Sequence, residues 1–258
     1  MERKLIFFDI DGTLLDHKKQ IPASTKHAIF ELHKAGHEVA ISTGRAPYLF
    51  QGIQQELNID SFVCFNGQYV QRRGEAILKN PIDLKAIEEI NGFSEKRDHP
   101  LIYMSYEGMR ANVPHHKDIE KSIATLKATH PDHDSDYYKH HNIYQMLIFC
   151  GKQEENEYHK YFDNLNFIRW HELSMDILPP GGSKAKGIER YMSDTGTKPE
   201  NVYAFGDYLN DIEMLKFVEN SVAMGNAPDV VKESAKYVTS GVDEDGVYNG
   251  LKYYGLVK

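Results

Sequence analysis

The stretch that decides the fold runs from Leu5 to Leu15 and reads LIFFDIDGTLL. Its four consecutive apolar residues predict a short strand buried on both faces, as in a parallel sheet. The run ends in two aspartates separated by one isoleucine. Residues two apart in an extended chain point to the same side. Asp9 and Asp11 are therefore expected to face one another at the carboxyl end of the first strand, the edge where open α/β sheets bind ligands. Carboxylates held that close repel, and a buried one is costly unless paired or metal-bound. A divalent cation or a shared proton is expected between them, and Gly12 lets the backbone turn tightly beside it. Taken alone, an Asp before Gly is also an ordinary turn cap.

Outward from this strand the chain alternates. PASTKHAIFELHKA (22–35) carries Ala28, Ile29 and Leu32 at helical spacing, with Gly36 as its stop. EVAIST predicts a strand, 48–57 a helix, and FVCF another strand. Near the other end, VYAF (202–205), a helix over 211–217, SVAM (221–224), a helix over PDVVKESA and the strand YVTS repeat the pattern. The fold expected is α/β: a doubly wound, Rossmann-like parallel sheet with right-handed crossovers.

The middle differs. Residues 81–180 hold nine of the 13 histidines and Trp170, the single tryptophan, which sets the segment apart from the flanking thirds. LIYMSY, YQMLIF, FIRWH and SMDIL read as strands, with helices near 82–91, 117–129 and 153–164. In DLKAIEEI, the apolar Leu84, Ile87 and Ile90 are expected to pack on that sheet. Asn80-Pro81 on one side and Pro179-Pro180-Gly181-Gly182 on the other mark linkers. An inserted α+β cap domain over 81–182 is expected within a core built from 1–80 and 183–258.

A net charge of −8 argues against nucleic acid, which needs a basic stripe to meet phosphates. A small anion remains compatible if a metal or a few local cations reverse the field in one cleft. The N-terminal apolar run is too short for a signal peptide, and no run approaches the ~20 residues that span a bilayer. Cys64 and Cys150 sit in apolar runs and read as buried free thiols of a reducing compartment. A cytoplasmic protein without membrane partners, monomeric or homodimeric, is expected. His115-His116 and His140-His141 lack metal-ligand spacing and read as exposed histidines.

Three further segments carry chemistry. Ser42-Thr43-Gly44-Arg45 places a hydroxyl at a strand-to-helix turn, where free N–H groups hold an anion or the hydroxyl simply caps a helix. Lys184, after Gly181-Gly182-Ser183, opposes the dipole of the helix it starts; it either meets an anion or is a solvated surface lysine. Gly206-Asp207-Tyr208-Leu209-Asn210-Asp211 again sets carboxylates at the end of an apolar strand.

Together and in this order, these segments resemble the haloacid dehalogenase-like superfamily, and within it the Cof-type phosphatases with a large α/β cap. The resemblance covers essentially the whole chain. DIDGTLL matches the first motif, STGR the second, SKAKGI the third and GDYLNDIEML the fourth. NGQYV (66–70) matches the NG turn before the cap, and MGNAPDVVKESAKYVTSGVDEDGV the C-terminal signature. The resemblance implies a Mg²⁺-dependent phosphatase acting on a small phosphorylated metabolite, a sugar phosphate or similar. Asp9 would be the nucleophile that forms an aspartyl-phosphate, and Asp11 the proton donor and acceptor. Asp9, the Asp11 carbonyl and Asp207 would hold Mg²⁺, with Asp211 as ligand or support. The Ile10 and Gly44 amides, Thr43, Lys184 and Asn210 would hold the phosphoryl oxygens. The cap would read the leaving group, with Arg110, Arg169 and Trp170 among the side chains offered for it. Two positions depart from the family pattern, where glycine is usual: Ala185 and Tyr208. A phosphosugar mutase, or a non-catalytic phosphate-ligand sensor on the same fold, are the alternative readings.

Overall fold

The structure, a computed structural model, describes residues 2–126 and 128–258. In chain order, β1 (Leu5–Phe8), α1 (Ala23–Lys34), β2 (Glu38–Ser42), α2 (Gln51–Leu57) and β3 (Phe62–Cys64) come first. β4 (Tyr69–Arg72) and β5 (Glu75–Lys79) follow as a pair the sequence reading does not anticipate. The middle contributes α3 (Leu84–Glu95), β6 (Leu101–Met104), β7 (Met109–Ala111), α4 (Lys117–Ala124), β8 (Gln145–Phe149), α5 (Glu155–Tyr161), β9 (Asn166–His171) and β10 (Ser174–Leu178). The last third adds α6 (Lys184–Thr195), β11 (Val202–Gly206), α7 (Ile212–Phe217), β12 (Asn220–Ala223), α8 (Asp229–Lys232), β13 (Tyr237–Val238) and α9 (Gly246–Tyr253).

Two compact units result. One runs to Arg45 and continues over Leu49–Leu78 and Ser183–Lys258; the other takes Ala46–Tyr48 and Lys79–Gly182. The first is built on an eight-stranded sheet of order β13-β12-β11-β1-β2-β3-β4-β5. It is parallel from β13 to β3, while β4 joins β3 antiparallel, so the sheet is mixed at one edge. LIFF forms the central strand, paired on one side with β2 and on the other with β11, and all four of its residues are buried. A strand with no exposed face has no use for alternating polar residues, which explains its unbroken apolar run. Leu5, Phe7, Ala40, Val63, Val202 and Ala204 form one face of the core against Ile188, Tyr191 and Met214.

α1 buries Ala28, Ile29 and Leu32 as its spacing predicts, and Gly36 follows it with φ of 79°. α8 is only four residues long, shorter than PDVVKESA suggests.

The second unit carries a five-stranded antiparallel sheet of order β7-β6-β8-β10-β9. Leu101 and Tyr103, Met146 and Ile148, and Met175 and Ile177 alternate along their strands and share one core with α3 and α5. α3 contributes Ala86, Ile87 and Ile90, but Leu84, at its first position, is half exposed. Asp83 caps this helix by accepting from the Lys85 and Ala86 amides, which sets a phase that turns Leu84 off the apolar stripe. α4 ends at Ala124, earlier than the predicted 117–129 helix, of which Lys127 lies outside the described residues.

The paired histidines are not in strands. His116 caps α4 through Nδ1, which accepts from the Asp118 amide, and His141 stacks on Tyr137 with ring centroids 4.0 Å apart. Only His115 and His140 are exposed; His116 and His141 are half-buried structural groups. Arg169 is likewise tied within its unit, to Glu155 and to the carbonyls of Cys150, His171, Glu172 and Gly151. Arg110 donates to the Met109 carbonyl and lies over the Tyr137 ring. Cys64 and Cys150 are buried free thiols. Among the described residues no helix is long and apolar enough to cross a membrane.

Candidate active site

The carboxyl ends of β1, β2 and β11 lie side by side in the first unit, so the segments that follow them converge. Asp9 follows β1, and its amide donates to the Phe205 carbonyl of β11 at 2.9 Å. Asp207 follows β11, and Asp211 comes one turn later. Carboxylate oxygens of Asp9, Asp207 and Asp211 lie within 4.8 Å of one another, the one such metal-competent cluster among the described residues.

Lys184 completes this centre. Its Nζ donates to Asp9 Oδ1 at 2.6 Å and to Asp211 Oδ1 at 2.7 Å, and the residue is only 1 % exposed. The solvated-lysine reading is therefore excluded: the start of α6 delivers the ammonium into the core. α6 continues unbroken through Ala185, with the Ser183 hydroxyl accepting from the Lys186 amide.

The charges explain one another. Burial pushes the Asp9 carboxyl up to about 8, with Asp211, Asp207 and Asp11 adding repulsion against the pull of Lys184. Burial and then Asp211 push Asp207 up to about 7. Burial disfavours the Lys184 charge, but Asp211 and Asp9 outweigh it and hold the ammonium above its ordinary range. Three carboxylates facing one ammonium are short of positive charge, and their hard oxygen donors fit a divalent cation such as Mg²⁺.

Asp211 spends both oxygens inside the protein. Besides Lys184 on Oδ1, its Oδ2 accepts from the Asp207 and Tyr208 amides, each at 3.0 Å. It thus fixes the loop that carries Asp207. Asp207 is steadied further by Asn226 Nδ2 at 3.1 Å and Thr13 Oγ1 at 3.4 Å. Gly12, with φ of 75°, lies so close to it that a β-carbon there would fall 2.1 Å from Asp207 Oδ2. Tyr208 is 56 % exposed, so it is not packed into the core beside Asp207.

Asp11 stands apart from the cluster. Its carboxylate accepts from Arg45 Nε at 2.8 Å and Nη2 at 2.7 Å, a bidentate pair, and from Lys19 Nζ. Burial would raise its pKa, but Arg45 and Lys19 prevail and hold the carboxyl below its ordinary range. The expectation that Asp9 and Asp11 confront one another across one space is thus replaced by a division: Asp9 faces Lys184, and Asp11 faces Arg45.

Of the expected anion-holding groups, Thr43 is buried and its hydroxyl accepts from the Arg45 amide at 3.1 Å. The helix expected from residue 48 begins as a 3₁₀ turn at Pro47–Leu49 before α2. Ile10 is fully buried, and its carbonyl closes the turn by accepting from Leu15 N at 2.8 Å. Asn210 Nδ2 donates to Asn66 Oδ1 at 3.3 Å. Sequence reasoning gave no role to Arg45, Lys19, Asn66 or Asn226. Arg45 stands inside STGR and Asn226 inside MGNAPD, so the motifs contained them, but their targets appear only when strand ends from distant parts of the chain meet.

Comparison with known proteins agrees with this geometry. Residues 6–251 match the haloacid dehalogenase-like hydrolase family. "Putative phosphatase YkrA" of Bacillus subtilis (strain 168) is 43 % identical, covering 100 % of both chains. Pyridoxal phosphate phosphatase YbhA of Escherichia coli (strain K12) is 30 % identical over 96 % of this chain and 97 % of its own. The crystal structure of a protein from Geobacillus kaustophilus HTA426 superposes with a TM-score of 0.96 at 48 % identity, over 99 % of this chain and 100 % of the other. The sugar phosphatase BT4131 superposes with a TM-score of 0.86 at 31 % identity, over 98 % of this chain and 100 % of its own. With its strand-end aspartates, its buried lysine and a family match that spans both units, the chain belongs to the haloacid dehalogenase-like hydrolases.

Proposed function

We propose that the chain is a Mg²⁺-dependent phosphatase that hydrolyses phosphomonoesters of small metabolites, sugar phosphates or related compounds, through an aspartyl-phosphate on Asp9. The observation that carries this reading is the gathering of Asp9, Asp207 and Asp211 round the buried Lys184 ammonium. Full-length relatives that include a pyridoxal phosphate phosphatase and a sugar phosphatase support the substrate class. The Lys79–Gly182 unit is read as the cap that selects the leaving group, and the cytoplasm as the place of action.

In this scheme an Asp9 oxygen attacks phosphorus as the bond from phosphorus to the leaving oxygen breaks, and Asp11 gives that oxygen a proton. Water then attacks the same phosphorus, Asp11 takes the water's proton, and the Asp9–phosphorus bond breaks to release inorganic phosphate. Mg²⁺, held by Asp9, the Asp11 carbonyl and Asp207 with Asp211 in support, would supply positive charge to the phosphoryl oxygens. Lys184, Thr43, Asn210 and the Ile10 and Gly44 amides add donors to the same oxygens. Asp11 enters from a restrained position, since Arg45 and Lys19 hold it ionised and oriented. That state suits proton acceptance, and donation requires it first to take up a proton.

The test is hydrolysis of p-nitrophenyl phosphate. Asp9→Asn is expected to lower turnover at least about 10³-fold, and chelation to silence the wild type until Mg²⁺ is restored. A variant at full rate would sink the nucleophile, and a chelated wild type at full rate would sink the metal. Release of inorganic phosphate without a bisphosphate activator separates hydrolysis from mutase chemistry.

A further inference from the structure

The turn after β3 has an unusual backbone. Phe65, Asn66 and Gly67 are left-handed in succession, with φ of 51°, 52° and 96°. Glycine and asparagine tolerate this region; phenylalanine rarely enters it. Such a conformation persists only where its surroundings over-determine it. Here the Phe65 amide donates to the Arg45 carbonyl at 3.3 Å, and the Asn66 amide to the Thr43 carbonyl at 3.2 Å. Both bonds run to the loop that follows β2. On its other side the turn abuts the start of α6, where a β-carbon on Gly67 would lie 2.0 Å from the Ser183 carbonyl oxygen.

The Asn66 side chain faces two further groups. It lies flat against Gly44, where a β-carbon would sit 2.8 Å from Oδ1 and 3.0 Å from Nδ2. Its Oδ1 also accepts from Asn210 Nδ2 at 3.3 Å. One buried carboxamide, 5 % exposed, therefore touches the loop after β2 and the loop after β11 together.

We propose that Asn66 is a positioning residue that sets the Gly44 amide and the Asn210 carboxamide at the distance a phosphoryl group requires, an inference that rests on the phosphatase reading of those two groups. The turn enforces the arrangement. Its left-handed backbone aims the side chain of residue 66 at Gly44, and its two amides lock the Thr43–Arg45 loop in place. Phosphoryl transfer depends chiefly on donors fixed in advance, so a group that fixes two of them acts on rate and on anion affinity alike.

Asn66→Gly provides the test, because glycine keeps the left-handed backbone without strain and removes only the carboxamide. The variant is expected to fold, as read by circular dichroism. It is expected to lower kcat on p-nitrophenyl phosphate roughly tenfold and to raise the inhibition constant of inorganic phosphate by a similar factor. Because Asn66 acts in part through Asn210 and in part on Gly44, the same substitution in an Asn210→Ala background is expected to change each value by clearly less than its full tenfold. Wild-type values in Asn66→Gly, or losses that multiply fully in the double variant, would overturn the assignment and leave the turn a backbone feature. Asn66→Ala repeats the cycle should the glycine variant fail to fold. A wild type that releases no phosphate from any phosphomonoester overturns the phosphatase reading itself, which a silent Asn66→Gly in an active enzyme does not.

Discussion

Lys184 bridges Asp9 and Asp211: its ammonium lies 2.6 Å from one carboxylate and 2.7 Å from the other, out of contact with water. Removing one partner of a buried ionic group leaves the others uncompensated, at a cost of about 3–5 kcal/mol. Lys184→Met is therefore expected to lower the cation-free melting temperature sharply and to abolish phosphate release. On the proposed reading, in which Mg²⁺ meets the same carboxylates, the ion should return part of the lost stability. Thermal unfolding with and without Mg²⁺ reads both effects, and a variant as stable as the wild type in chelator would refute the account.

Gly12→Ala tests the packing beneath Asp207. The new methyl would collide with Asp207 Oδ2 at 2.1 Å, on a backbone whose φ of 75° already disfavours a side chain. Asp207 is proposed to bind the metal, and moving a metal-ligating carboxylate through its support typically costs about 10–100-fold in metal affinity or activity. The Mg²⁺ concentration for half-maximal activity should rise by that factor, while binding of Mg²⁺ at the wild-type concentration would contradict it.

Arg45→Met separates the proton-transfer role proposed for Asp11 from the attack proposed for Asp9. Nitrophenolate leaves without help, whereas an alkoxide needs a proton. Loss of the bidentate hold on Asp11 should slow glycerol 2-phosphate hydrolysis by about 10²-fold, and p-nitrophenyl phosphate hydrolysis far less. Equal losses on the two substrates would assign Arg45 to phosphate binding instead.

Glu38, at the far end of β2, governs acid stability. Its buried carboxylate accepts from Arg72 Nε at 3.0 Å and from the Tyr191 hydroxyl, and pairs with Arg3. Burial would raise its pKa, but the bonds to Tyr191 and Arg72 prevail and hold it below its ordinary 4.5. The unfolded chain thus takes up this proton at higher pH than the folded one. The stabilisation is complete above the unfolded value and is lost as pH falls through the folded value. Glu38→Gln should lose about 1–3 kcal/mol at neutral pH and show a shallower decline on acidification. Urea unfolding from neutral pH downwards measures both, and parallel pH profiles would disprove the assignment.

The sequence made the centre of the core readable because its chemistry sits at strand ends. LIFF and VYAFG carry no charged residue until Asp9 and Asp207, and the apolar VAI of β2 leads straight into Ser42-Thr43, so the register of function along each strand could be read directly. The state of Lys184 could not. Whether a lysine at a helix start meets water or carboxylates depends on where β1 and β11 bring their ends, a non-local fact. Arg45 turns to Asp11 for the same reason. The β4–β5 edge escaped because Asn66-Gly67 signals a turn without saying that the chain then joins the same sheet antiparallel. α9 escaped because Gly246 and Gly250 lower helix propensity, and only burial of Val247 and Leu251 offsets that.

The pairing of β1 with β11 has a consequence for biogenesis. β1 is the central strand of the sheet, yet one of its two neighbours is synthesised only after the whole Lys79–Gly182 unit. That unit possesses its own sheet and core, so it can condense while the N-terminal segment still lacks its partner. Pairing across so long a span slows folding, although its entropic cost grows only slowly with length. Asp9 therefore meets Lys184 and Asp207 only once the segment beyond Gly182 has been made, and a chain cut before it holds no such centre. Activity becomes a reporter of completed synthesis.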